Sequence, residues 1–98
     1  METYVILRRG AWRTPEDLRS AAERSTAEAE RMPDDIRRIR SYVLDEQVQG
    51  VGTVCIYQAS SPEAVRSHAD AAGLPVDEIV RVTDTVLMGP DPQPVNAE

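Results

Sequence analysis

The sequence predicts an α+β fold, with one four-stranded antiparallel sheet and two helices packed on a single face of it. Three observations carry this reading. Two segments, Thr14-Pro15-Glu16-Asp17 and Ser61-Pro62-Glu63, repeat one helix-start signal: a capping hydroxyl, a proline at the first helical position, then acid. Apolar runs rich in β-branched residues alternate with these signals in the order strand, helix, strand, strand, helix, strand. The connection between the two middle strands, Glu46 to Gly52, is short and holds two glycines, which suits a hairpin.

Tyr4 to Leu7 forms the first strand, an apolar run closed by Arg8 and Arg9. Thr14 then caps a helix whose Leu18, Ala21, Ala22, Ser25, Ala29 and Met32 fall at helical spacing, and Pro33 stops it. Ile36 to Asp45 is the second strand and Val54 to Gln58 the third. Ser61 caps the second helix, which runs to about Ala72. Gly73 supplies the left-handed residue that ends it, Leu74 the accompanying apolar contact, and Pro75 the block to continuation. Glu78 to Leu87 is the last strand, with Val80, Val82 and Val86 on one face. The order βαββαβ is the ferredoxin-like split arrangement.

A chain of 98 residues makes one domain, here 1–88, and the proline-rich segment 89–98 is expected to be a disordered tail. With 41% hydrophobic residues but no Phe, the core must be built from Val, Ile, Leu and Ala. A net charge of −6 disfavours nucleic acid as a partner. The densest basic cluster, Arg37, Arg38 and Arg40, has only Tyr42 as an interleaved aromatic. No stretch reaches the roughly 20 apolar residues of a membrane span, and METYVILRRG has no signal-peptide core. Cys55 has no second cysteine to pair with. These features point to a cytoplasmic protein with neither membrane nor nucleic acid as partner.

Two helices cover one sheet face. If Ile39, Val43, Val54 and Ile56 point to them, the opposite face carries Arg38, Arg40, Tyr42, Leu44, Cys55 and Tyr57, joined by Tyr4 and Ile6. So much apolar surface calls for a cover, either a second copy of the chain or a ligand held against the sheet. A homodimer is expected. Arg40 and Tyr42, two apart on a strand, point the same way and suit an anionic oxygen. Tyr4, Trp12 and Tyr57 complete a candidate ligand-binding set.

His68, the single histidine, lies at the edge of the apolar stripe of the second helix. The positions three and four residues away are Ala64, Val65, Ala71 and Ala72, so a metal at His68 must draw its other ligands from elsewhere. Glycine-rich phosphate loops, serine-elbow motifs, C-x-x-C pairs and paired catalytic carboxylates are all missing, which leaves enzymatic activity open.

Several segments resemble a known family: YVILRR, DLRSAAERS, IRRIRSYV, CIYQASSPEAVRSHADAAGLP and VDEIVRV, in this order over residues 3–87. The family is a small bacterial domain of unknown function whose studied member is a nickel-binding protein. The resemblance implies a ferredoxin-like fold, a dimer, and binding of a divalent metal such as Ni²⁺, with His68 as the ligand candidate. Relatives often carry an acidic residue where this chain has Leu7. Two functional readings follow. One is a small dimeric metal-binding protein. The alternative is a dimeric α+β barrel-type enzyme (cyclase- or isomerase-like) or organic-ligand binder that uses the open sheet face, with Arg40, Tyr42 and His68 as its catalytic candidates.

Overall fold

The computed structural model describes residues 1–94 of the chain; residues 95–98, at the end of the expected tail, lie outside the described residues. The strands are β1 (Glu2–Trp12), β2 (Ile36–Asp45), β3 (Val51–Ala59) and β4 (Glu78–Arg81), and the helices are α1 (Pro15–Glu30) and α2 (Pro62–Ala72). The sheet order is β2-β3-β1-β4 with every pair antiparallel, which is the ferredoxin-like arrangement the element order predicts.

The helix ends form as their residues dictate. Thr14 Oγ1 accepts from the Asp17 N–H at 3.2 Å and Ser61 Oγ accepts from the Ala64 N–H at 3.1 Å. Each cap is worth about 1 kcal/mol. Gly73 closes α2 in the left-handed region at φ 69°, and the Leu74 N–H turns back to the Ala69 carbonyl at 2.8 Å.

The core lies between the helices and the sheet and holds Tyr4, Ile6, Ile36, Cys55, Tyr57, Ala59, Ala64 and Val65. Ile6 and Val65 are fully buried, each contributing about 1.5–3 kcal/mol by leaving water.

The edges of three strands differ from expectation, β3 running from Val51 to Ala59 where Val54 to Gln58 was expected. β1 runs on to Trp12, because its backbone keeps pairing with β3 across an irregularity between Arg8 and Trp12. β4 stops at Arg81 rather than Leu87: it is an edge strand paired only with β1, and the last bond past it is the Val82 N–H to the Thr3 carbonyl at 2.8 Å. Residues 83–94 carry no regular element. Within them Asp91 pairs with Arg40.

On β1 and β3 the two sheet faces are exchanged relative to the expected assignment, and Arg38 goes with them, whereas Val43 lies on the helix side and Arg40, Tyr42 and Leu44 lie outside as expected. Tyr4 pairs with Tyr57, Ile6 with Cys55 and Arg8 with Thr53, and all six are buried on the helix side. Val54 and Ile56 therefore point outward, as do their β1 neighbours Leu7 and Val5. The third strand is apolar at nearly every position, so alternation alone does not say which half is inside. β2 adds a bulge: Arg38 stands opposite Tyr57 and Arg40 opposite Ile56, with Ile39 the extra residue. Arg38 and Ser41 consequently lie on the helix side, while Arg40 and Tyr42 lie outside.

Candidate functional site

A cavity of about 150 Å³ opens between α1 and the β2 side of the sheet. Leu18, Ala21, Ala22 and Ser25 of α1 form one wall. Arg38, Ser41 and Val43 of β2, Thr53, Cys55 and Tyr57 of β3, and Arg8 of β1 form the other, and Trp12 and Leu74 also line it. The cavity exists because α1 presents alanine and serine to the sheet and because every residue of β2 except Ile36 and Leu44 stays exposed. Small side chains over a half-covered strand leave space that a leucine-rich helix would fill.

Arg8 lines this space with only 1% of its surface exposed. Its Nη1 donates to Cys55 Sγ at 3.2 Å, whereas Nε and Nη2 are buried with no hydrogen-bond partner among the described residues. Cys55 Sγ also accepts from Ser41 Oγ at 3.0 Å. Arg38 reaches over the rim, its Nη2 donating to Thr26 Oγ1 at 3.0 Å and its Nη1 to Ser25 Oγ at 3.4 Å. Two guanidinium groups thus line the cavity, and among the described residues no aspartate or glutamate does.

Ser25 joins this site to His68. The His68 Nε2–H donates to the Ser25 carbonyl at 3.0 Å, and the Tyr57 hydroxyl lies 3.5 Å from Ser25 Oγ. The Tyr57 and His68 rings meet edge to face, with centroids 5.6 Å apart. Burial pushes the His68 imidazole below its ordinary value, against the opposing pull of the Ser25 carbonyl bond, so the ring is neutral at pH 7. Burial pushes the Tyr57 phenol up, which keeps it a proton donor.

The structure separates the sequence-predicted residues into two groups. Tyr57 and Trp12 line the cavity, and Tyr4 lies in the core beside it. Arg40 and Tyr42 share the outer face with Val5, Leu7, Val54, Ile56 and Val80 and do not meet the first group. His68 is wholly enclosed, with Nε2 committed to Ser25 and Nδ1 buried without a partner. Among the described residues no three His, Cys, Asp or Glu side chains come together, so the donors of a single chain do not fit a divalent metal.

Sequence reasoning missed Arg8, Arg38, Ser25 and Thr53 as cavity residues. A signal for Arg8 was present: it stands two residues after Ile6 and four after Tyr4, in phase with the buried side of its strand.

The sequence model of a family described as "Nickel responsive protein SCO4226-like" matches residues 4–82. Among solved structures, the crystal structure of SCO4226 from Streptomyces coelicolor A3(2) is similar, with a TM-score of 0.66 and 22% identity. The similarity covers 86% of this chain and 99% of that one. No curated protein matches. Also, among the described residues no helix is long and apolar enough to cross a membrane.

Proposed function

The chain belongs to the nickel responsive SCO4226-like family, and from that premise we propose that it is a small dimeric binding protein whose ligand seat is the cavity beneath α1. The observation that carries the reading is Arg8: a buried arginine that lines the cavity and whose Nε and Nη2 have no hydrogen-bond partner among the described residues. A buried charge without partners is costly, and a ligand that supplies them removes the cost. The apolar outer face, with Tyr42 and Val80 each nearly half exposed, supports pairing of two copies sheet to sheet.

The test is a small-molecule screen by ligand-observed NMR on the full chain and on Val43→Trp, which fills the cavity mouth from an exposed position. Ligands bound by the wild type and lost in the variant support the reading. Ligands that bind both equally place the seat elsewhere.

The family description favours a second, metal-linked reading. A divalent ion would then be held between protomers, with donors from both, since one protomer brings too few together. Ni²⁺ dialysis against the wild type and a monomeric variant tests it: binding by the dimer alone supports the reading, and equal binding rejects it.

A further inference from the structure

We infer that residues 83–90 form an arm on the outer side of the sheet, and that Val86, Leu87 and Met88 on it pack against the outer sheet face of a second copy of the chain. This rests on the reading of sheet-to-sheet pairing and names the segment that each copy contributes to it.

The arm is fixed at both ends. At one, the Val82 N–H donates to the Thr3 carbonyl at 2.8 Å, which carries the pairing of β4 one residue past Arg81. At the other, Asp91 pairs with Arg40. β4 and β2 are opposite edges of the sheet, and Arg40 lies on its outer side. The segment therefore leaves one edge and is held again at the other from outside. Three strand spacings separate the edges, about 14 Å. A stretch from 83 to 90 can span roughly 26–29 Å when extended, so it reaches with slack. The slack agrees with the exposure of its middle: Val86, Leu87 and Met88 keep 78%, 89% and 93% of their surface in water.

The composition of the arm is that of a covered segment. Val86, Leu87 and Met88 are consecutive apolar residues, and Thr83, Thr85 and Val86 give the stretch the β-branched character of a strand. Within one chain it finds no partner strand, and residues 83–94 carry no regular element. Apolar side chains tethered in water in this way mark a contact with another molecule.

The area a dimer needs makes the second copy the occupant. A stable interface takes on the order of 800 Å² from each partner. At the centre of the outer face Val5, Leu7, Val54 and Ile56 are already half-buried by their neighbours, so they have little surface left to cover. The arm holds apolar surface that is still open, and Asp91 ties it to the same side of the sheet. Both copies bring a face short of area and an arm with area to spare, so the contact closes as a two-fold pair.

Two measurements on the full-length chain test this. Sedimentation equilibrium reads the dissociation constant of the dimer. Isotope-filtered NOEs, in a dimer mixed from labelled and unlabelled chains, read which copy the arm touches. The wild type should be a dimer with NOEs from the Met88 methyl to Val5, Val54 or Ile56 methyls of the other copy. Leu87→Glu combined with Met88→Glu, at positions exposed in the single chain, should weaken the dimer at least about a hundredfold. Asp91→Asn, which releases the far end of the arm, should weaken it about fivefold; unchanged affinity strikes the Arg40–Asp91 tether from the proposal. A dimer indifferent to the two glutamates, or Met88 NOEs confined to its own chain, overturns the arm and leaves sheet-to-sheet pairing standing. A monomeric wild type removes both.

Discussion

Arg8 Nη1 lies 3.2 Å from Cys55 Sγ inside the core, and among the described residues this is the one hydrogen bond the buried guanidinium makes. An arginine so enclosed ordinarily faces a carboxylate. Here a thiol takes its place, and two of the three guanidinium nitrogens stay unpaired.

Replacing this arginine should therefore stabilise the free protein. Arg8→Met removes unpaired buried donors and keeps the hydrocarbon stem, a gain of about 1–3 kcal/mol. Thermal unfolding without ligand should show a higher Tm for the variant. A lower Tm would mean that Arg8 contributes more through packing and its Cys55 contact than its isolation costs.

His68 makes stability depend on pH with a defined sign. Its folded pKa is lowered by burial below the ordinary value near 6.5, so the unfolded chain takes up a proton more readily. The stability His68 contributes is complete above pH 6.5 and is lost as the pH falls from there toward the folded pKa. Denaturant titrations at a series of pH values should show this decline in the wild type, and it should be absent in His68→Gln. The same variant should bind Ni²⁺ as the wild type does, because the ring is sealed in the core.

Sheet-to-sheet pairing predicts that charge on the outer face yields monomers. Tyr42→Glu combined with Val80→Asp puts two carboxylates on this face, at positions exposed in the protomer and so of little consequence for its fold. Light scattering should read twice the chain mass for the wild type and the single mass for the variant. A wild type of single mass would remove the dimer.

Gly50 is one of two glycines, with Gly52, that the hairpin cannot replace. Its φ is 95°, and a Cβ there would overlap the Trp12 carbonyl oxygen. Gly50→Ala should cost about 1–3 kcal/mol. Because the strain acts on Trp12, which lines the cavity, tryptophan fluorescence should shift along with the fall in Tm. An unchanged spectrum would mean that the turn absorbs the strain locally.

The order of elements was legible in the sequence because its signals are local. The Thr14-Pro15 and Ser61-Pro62 caps, Gly73 and the β-branched runs each act within a few residues. The location of the cavity was not, because it depends on which half of a doubly apolar strand is buried. Cys55-Ile56-Tyr57 reads equally well in either phase, and the answer comes from long-range contacts of Tyr57 with α1 and α2. The bulge at Ile39 hid the rest: a strict period of two puts Arg38 and Arg40 on one side, and the extra residue parts them.

That extra residue sets up a division of labour. By shifting the phase of β2 midway, it gives the cavity Arg38 and Ser41 and leaves Arg40 and Tyr42 to the outer face of the sheet. Side chains on the two faces can then be changed independently of one another. Were Ile39 instead paired in the ladder, strict alternation would put Arg38 and Arg40 on one side of the sheet and Ser41 on the other.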